Sequence, residues 1–346
     1  MTDDTPIQVS LLTGFLGSGK TTLLNALLKH EGMAETAVLI NEFGDIGIDH
    51  ELVETVDPEM IQLTTGCLCC SVQGDLTRAL REIFLKRVNK QTPPFQRVLI
   101  ESTGLADPAP VIQTLVNDPV IAHRYSLDGI ITTIDAIHAP GQIHRHEECK
   151  RQAAVADRIV ITKTDIATPA QIQNCQDVLS LLNPAAPKFF AISGKIDPNK
   201  LFDCALFDPQ TKTYDVQNWL KAEAYNNQKP HNHHDHDKNR HDENVRAWCM
   251  EYRDPISWPA FIAWIQTLID NYGEKILRIK GIVNIKGESQ PVAIHGVQHI
   301  FHPPAKLPNW PGKDKSTKMV FIVDGLSQDV IEEQLNRLQE QDSRLS

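Results

Sequence analysis

Three stretches of this chain combine residue types and spacings that could do chemistry. The first, GFLGSGKT from Gly14 to Thr21, satisfies G-x-x-x-x-G-K-[ST] in full and lies between an apolar run and a leucine-rich helical segment. Backbone N–H groups of such a loop curl around phosphates, and the start of the following helix adds partial positive charge. Gly14, Gly17, Ser18, Gly19 and Thr22 therefore belong to the expected nucleotide loop. Lys20 is expected to place its ammonium near the β and γ phosphates, and Thr21 to offer its hydroxyl to Mg²⁺.

A phosphate loop needs a carboxylate arriving from a neighbouring strand. Glu101, which closes RVLIE, and Asp135, which closes IITTID, both qualify. Glu101 is preferred because it opens ESTG, placing Gly104 three residues on, where a backbone N–H can meet the γ-phosphate. Asp135 is read as a turn cap. The third element is VITKTD, in which Thr162, Lys163 and Asp165 follow a strand in the [NT]-K-x-D pattern. A carboxylate there accepts hydrogen bonds from the ring N–H and amine of guanine, while adenine offers it an acceptor at the ring position. GTP is thus the expected nucleotide, with AISGK, Ala191 to Lys195, as the loop closing over the base.

TTGCLCC then places three thiols, Cys67, Cys69 and Cys70, within four positions. No second C-x-x-C and no spaced histidine pair completes a four-ligand zinc site with them. Three soft ligands and an open position suit Zn²⁺ or another thiophilic ion in transit better than a permanent structural ion. Redox sensing and inert packing remain the competing readings. Cys149, Cys175, Cys204 and Cys249 are scattered and read as ordinary buried thiols.

The elements that must position these residues follow from periodicity. Apolar runs at Ile7 to Leu12, Ala37 to Ile40, Arg97 to Ile100, Gly129 to Ile134, Arg158 to Thr162 and Lys188 to Ile192 alternate with helical segments. That order predicts an α/β fold: a P-loop NTPase parallel sheet flanked by helices. Thr21 to Lys29 is one helix, and Leu76, Leu80, Ile83, Phe84 and Val88 mark the buried face of another. From Lys221 to Asn244 the chain is polar, and it has no apolar residue between His231 and Glu243. This segment, 221–244, is expected to link a nucleotide domain at 1–220 to a smaller α+β domain at 245–346. In the latter, strands are predicted at Arg246 to Tyr252, Ile276 to Ile285, Pro291 to Phe301 and Lys318 to Val323. Helices are predicted from the Ser257 cap through Asp270 and from Gln328 to Gln339.

Taken in order, TGFLGSGKTTLLN, NEFGDIGID, TTGCLCC, ESTGLADPAP and ITKTD resemble the CobW-like family of metal-related GTPases, cousins of the GTPases that insert nickel into hydrogenase and urease. The likeness runs from Ile7 to Ile196, and GVQHIF and MVFI resemble that family's second domain. The resemblance implies a Mg²⁺-dependent GTPase acting as a metallochaperone, carrying zinc, with Co²⁺ or Ni²⁺ as alternative cargoes, to a client metalloprotein. On matching positions it implies metal binding by Cys67, Cys69 and Cys70, Mg²⁺ at Thr21 and Glu101, and guanine reading by Lys163 and Asp165. Glu42, in NEFG, is either a further metal ligand or a phosphate-side carboxylate. The resemblance also implies a coupling. If the thiol loop touches the segments near Glu42 to Asp49 and Gly104 to Asp107, the γ-phosphate decides whether the thiols converge.

Five imidazoles, His231, His233, His234, His236 and His241, are interleaved with Asp235, Asp237 and Asp242 and are read as a weak reservoir for divalent ions. A solvated linker is the alternative. His295 and His299, expected on one side of a strand, and His302 are read as surface or core histidines. IHRHEEC is read as a polar helix start. The balance of 34 Lys plus Arg against 44 Asp plus Glu, without a dense basic run, argues against nucleic acid as a partner. With no apolar run long enough to span a bilayer and no signal-like N-terminus, the expected location is the cytoplasm, without membrane partners. Oligomeric state is left open.

Overall fold

The computed structural model describes residues 6–40, 62–64, 72–204 and 245–345. Cys67, Cys69, Cys70, Glu42 and the histidines from His231 to His241 lie outside the described residues. Those within Met1–Asp177 and Ala186–Ala205 make one compact unit, and those within Val178–Ala185 and Leu206–Ser346 another.

The first unit is built on a seven-stranded sheet of order β3-β2-β4-β1-β5-β6-β7, parallel at every pairing. Its strands are β1 (Ile7–Gly14), β2 (Thr36–Ile40), β3 (Gln62–Thr64), β4 (Arg97–Glu101), β5 (Tyr125–Asp135), β6 (Arg158–Thr162) and β7 (Lys188–Phe190). The runs are apolar almost throughout because helices cover both faces of the sheet, so alternation is lost. Helix α1 (Lys20–Leu28) buries Leu23, Leu24, Leu27 and Leu28 against Leu12, Val38, Leu99, Ile131 and Val160 of the strands. Each such leucine contributes about 1.5–3 kcal/mol of transfer free energy, so the helix carrying the phosphate loop's lysine is firmly seated. Crossover helices α2 (Val72–Val88), α3 (Ala109–Asn117), α4 (Pro119–Arg124), α5 (Ala139–Arg145) and α6 (Glu147–Val155) complete the unit with the part of α7 (Pro169–Leu182) up to Asp177. In α2, Leu76, Leu80 and Ile83 are buried as the spacing predicts. Val88, the last residue of the helix, is 59% exposed.

β1 and β5 are neighbours, yet the chain after β1 crosses to β2 on one side and the chain after β5 crosses to β6 on the other. Divergent connections of this kind leave a crevice at the carboxyl ends of the two strands, where ligands of parallel sheets bind. The phosphate loop leaves β1 at that point.

The second unit pairs β8 (Val245–Tyr252), β9 (Ile276–Val283), β10 (Val292–Val297), β11 (Ile300–Phe301) and β13 (Thr317–Asp324) antiparallel in the order β11-β10-β9-β13-β8, with β12 (Ala305–Lys306) added beside β10. Met319, Phe321 and Val323 of β13 face α8 (Trp258–Tyr272) and α9 (Gln328–Leu345) across one core. Ser257 caps α8 by accepting from Ala260 N–H at 3.2 Å, as its position before the apolar run implies. Trp264, fully buried, donates its indole N–H to the Ile331 carbonyl at 3.2 Å and ties the two helices together. The stretch expected as one strand from Pro291 to Phe301 is two: Gln298 and His299 form a tight turn, so His299 sits in that turn while His295 lies buried on β10. Among the described residues no helix is long and apolar enough to cross a membrane.

Candidate nucleotide site

The loop from Gly14 to Gly19 is shaped by its glycines and held from beneath by hydroxyls. Gly14 takes φ +144, and a Cβ there would overlap the Thr133 hydroxyl and carbonyl, so no other residue fits. Ser18 and Thr133 share a hydroxyl hydrogen bond of 2.7 Å, and Thr162 donates its hydroxyl to the Ser18 carbonyl at 2.7 Å and to the Ile134 carbonyl at 3.2 Å. The loop is thereby pinned to the ends of β5 and β6. Gly19 precedes the first residue of α1 in a left-handed conformation, so Lys20, Thr21 and Thr22 form the helix's first turn, where backbone N–H groups have no intrahelical partner. The Lys20 ammonium donates to the Gly14 carbonyl at 2.6 Å and the Phe15 carbonyl at 3.4 Å, which places its charge across the mouth of the loop.

Glu101 ends β4, buried at 7% exposure, in register with Leu12 of β1 on one side and Ile40 of β2 on the other. Ile40 is in turn in register with Thr64 of β3. Thr64, Ile40, Glu101 and Leu12 therefore form one row at the carboxyl edge of the sheet, and in the sequence the thiol motif, the NEFG segment, the ESTG segment and the phosphate loop follow these four positions. With strands spaced by about 4.8 Å, the backbone at Thr64 lies about 10 Å from that at Glu101. A hydroxyl at the start of α1 and a buried carboxylate at the end of β4 make an all-oxygen donor pair, which fits a hard cation such as Mg²⁺.

On the other side of the crevice, Thr162, Lys163 and Asp165 leave the end of β6 together. Thr162 is buried and its hydroxyl is spent on the loop, so it positions the phosphate side. Lys163 sits at φ +58, and its ammonium donates to Asp135 Oδ2 at 2.7 Å. Asp165 is exposed, on a turn closed by Ile166 and Ala167 N–H groups donating to the Lys163 carbonyl at 3.3 and 3.1 Å. The AISGK segment lies beside α1: Gly194, at φ +75, is packed so closely that a Cβ would run into the Thr22 carbonyl. The AISGK segment is thus packed against the same helix that carries Lys20.

Asp135 does cap a turn, accepting from Ile137 and His138 N–H at 2.8 and 3.2 Å, and it does more. It is 2% exposed and also binds the Lys163 ammonium and, at 2.9 Å, His138 Nδ1. Burial opposes its ionisation, but the hydrogen bonds from Lys163, His138 and the two backbone groups outweigh it and hold the carboxyl below the usual aspartate range. Its partners place it beside the T-K-x-D turn rather than beside Glu101. The threonine pair inside the aliphatic run of β5 was the sequence signal for the hydroxyl supports. The stacking of His146 on Phe15 of the phosphate loop, centroids 4.7 Å apart, had none.

Cys149, Cys175 and Cys204 are buried and Cys249 is half-buried. Burial pushes the Cys149 and Cys175 thiols up to about 12 and Cys249 up to about 11, so they stay neutral and are poor metal ligands. His144 lies in the last turn of α5, and His146 precedes α6.

Comparison with known proteins accounts for both units. Residues 8–190 match the family described as CobW/HypB/UreG, nucleotide-binding domain. Residues 245–339 match the cobalamin synthesis protein cobW C-terminal domain. The zinc chaperone YjiA of Escherichia coli (strain K12) is 34% identical over 317 residues, which are 92% of this chain and 94% of that protein. The zinc chaperone CobW of Pseudomonas aeruginosa is 28% identical over 363 residues, 95% of this chain and 90% of its own. The crystal structure of the Zn(II)-bound YjiA GTPase from E. coli matches with a TM-score of 0.69 and 31% identity, covering 96% of this chain and 99% of that one. A phosphate loop, a strand-end carboxylate and a T-K-x-D turn on a parallel sheet, followed by the matching second domain, make this chain a member of the CobW/HypB/UreG family of the CobW type.

Proposed function

We propose that the chain is a GTP-hydrolysing metallochaperone, in which GTP binding and hydrolysis control the capture and release of zinc at Cys67, Cys69 and Cys70 for delivery to a client metalloprotein. Residues 1–220 do the nucleotide and metal chemistry, 221–244 form a histidine-rich link that gathers ions weakly, and 245–346 make the second domain. The observation that carries the reading is the strand row at the sheet edge. Thr64, three residues before Cys67, is in register with Ile40, which is in register with Glu101. Thr64, from which the sequence runs on to the thiols, is thus about two strand spacings from Glu101, near enough for a γ-phosphate bound beside Glu101 to bias the segment that follows. The zinc-chaperone names of the relatives support zinc over Co²⁺ or Ni²⁺.

In this reading the phosphate loop and the first turn of α1 hold the phosphates with backbone N–H groups. Lys20 neutralises charge that builds on the β–γ bridging side as the bond breaks. Thr21 and Glu101 are the residues that would hold Mg²⁺, which would supply further charge neutralisation when bound. Gly104 offers its N–H to the γ-phosphate, and Asp165 reads guanine. Loss of the γ-phosphate frees the segments beyond Ile40, Thr64 and Glu101, and the thiols separate. The test is a zinc titration, with a competing chelator at fixed pH, of protein loaded with Mg²⁺ and either a non-hydrolysable GTP analogue or GDP. Stoichiometric zinc bound more tightly in the GTP form supports the reading. Equal affinity in both forms defeats it and leaves a regulatory GTPase with redox-sensing or structural cysteines.

A further inference from the structure

The segment Ser102 to Asp107 follows the strand-end glutamate and carries Gly104, and its position is set from two sides. In front it lies against the phosphate loop: a Cβ on Gly104 would come within 2.6 Å of Leu16 Cδ2 and 2.9 Å of Leu16 N, so Gly104 packs directly on the backbone and side chain of Leu16. Behind it stands α6. Gln152 of that helix is 1% exposed and donates its side-chain amide to the Gly104 carbonyl at 3.2 Å and the Ala106 carbonyl at 3.0 Å. Two bonds from one NH₂ group fix the planes of two peptides in the segment. Both acceptors are carbonyls, so only the nitrogen end of the amide can face them, and a carboxylate there would be repelled. Among the described residues Gln152 Oε1 has no hydrogen-bond partner, so the side chain sits in this pocket for its donors.

The helix that carries Gln152 is itself tied to the nucleotide loops. The Gln152 backbone carbonyl accepts from the Thr132 hydroxyl at 2.9 Å, and Thr132 precedes the Thr133 that supports Ser18. At the helix start His146 stacks on Phe15, and Arg151 Nη1 lies 3.9 Å from Asp107 Oδ2. One helix thus holds the phosphate loop at one end and the segment of Gly104 at the other.

We infer that Gln152 is a positioning residue for γ-phosphate recognition: its amide latches the Gly104–Ala106 segment against the phosphate loop, so the protein's preference for GTP over GDP depends on a side chain that touches neither nucleotide. The inference rests on the GTPase reading above and names a residue within it. A substitution of the Gln152 side chain tests the γ-phosphate side apart from the rest of the ligand, because that amide donates to the Gly104 and Ala106 carbonyls and to neither the phosphate loop nor the T-K-x-D turn.

The experiment compares Gln152→Met, which keeps the shape and loses both donors, with Gln152→Glu, which reverses the polarity at the carbonyls, and with Gly104→Ala. Affinities for GDP and for a non-hydrolysable GTP analogue are measured with Mg²⁺, together with kcat and KM for GTP. Both Gln152 variants should hold GDP as the parent does, while the analogue-to-GDP affinity ratio and kcat each fall about tenfold, the effect of losing one or two buried hydrogen bonds from the γ-phosphate side. A purely structural Gln152 would lower thermal stability and weaken both nucleotides alike. If Gly104→Ala lowers the ratio and a folded Gln152→Met or Gln152→Glu leaves it unchanged, the latch is wrong and the γ-phosphate reading stands. If none of the three moves the ratio, the reading of Gly104 fails and the latch with it.

Discussion

The Lys163 ammonium lies 2.7 Å from a carboxylate oxygen of Asp135, an ion pair between the ends of adjacent strands β6 and β5 in which the acid is 2% exposed at its side chain and the base 34%. A lysine at a strand end is ordinarily mobile. Here the buried acid fixes its ammonium, and the backbone at Lys163 is itself held at φ +58. Asp135→Asn keeps the turn's shape but removes the charge that holds Lys163. Charge-assisted hydrogen bonds contribute about 1.5–3 kcal/mol, and partial exposure of the lysine discounts that, so GTP affinity should fall about fivefold to tenfold with kcat little changed. An affinity equal to the parent's, measured with a fluorescent guanine nucleotide, would show that the lysine is not held for the base.

The same pair predicts an acid limit to stability. The native Asp135 carboxyl titrates below its unfolded value, so its contribution is fully present above the ordinary aspartate pKa of about 3.9 and is lost as pH falls through the lower native value. Thermal melts between pH 6 and 3, a range of about three units around that value, should show the parent losing its advantage over Asp135→Asn only at the acid end. Parallel melting curves for the two proteins would remove this group from the acid response.

Lys20→Ala should leave the fold intact and reduce turnover by about 100-fold or more, since the lost ammonium opposes the charge of the phosphates in the transition state. The fold survives because α1 is seated by Leu23, Leu24, Leu27 and Leu28, none of which the substitution touches. Circular dichroism and phosphate release on the same sample decide it, and a variant hydrolysing GTP at the parent rate removes the central claim.

Asp165→Asn should weaken GTP about 10- to 100-fold and improve xanthosine triphosphate, whose ring carries an oxygen where guanine carries its amine. The exposed position of Asp165 makes a folding effect small, so a competition assay reads recognition directly. An unchanged preference would place base reading elsewhere.

Much of this geometry was legible before the fold was known, and the exceptions have physical causes. β6 was bounded by its apolar run at both ends. β5 begins at Tyr125, four residues before the Gly129 from which the run was read, because Asp128 interrupts the apolar pattern. Yet the Asp128 carboxylate accepts from the Ser10 hydroxyl at 2.9 Å inside the sheet, and a Cβ on Gly129 would collide with Cys204, so both serve close packing there. β3 is three residues at an edge, too short for periodicity to reveal, and it is the strand after which the thiol motif follows in the sequence. The latch by Gln152 joins positions 48 residues apart through a side chain to backbone carbonyls, which leaves no pattern in the sequence.

The last prediction concerns the thiols and the nucleotide together. If the row of Thr64, Ile40 and Glu101 lets the γ-phosphate order the segments beyond it, zinc or Co²⁺ should bind more tightly with Mg²⁺ and a GTP analogue than with GDP. A tenfold difference corresponds to about 1.4 kcal/mol, within the range of ordinary coupling between sites. Linkage then requires the reverse effect: whatever factor the nucleotide applies to metal affinity, the metal must apply to the ratio of GTP-analogue to GDP affinity. Co²⁺ makes the ligands visible through thiolate charge-transfer absorption, and Cys69→Ala should weaken both that band and the reciprocal effect. Deleting residues 232–242 should remove weakly bound ions and leave both untouched. Loss of tight binding on that deletion would move the site from the thiols to the histidines, and metal affinity that is equal in the two nucleotide states would separate the cysteines from the GTPase altogether.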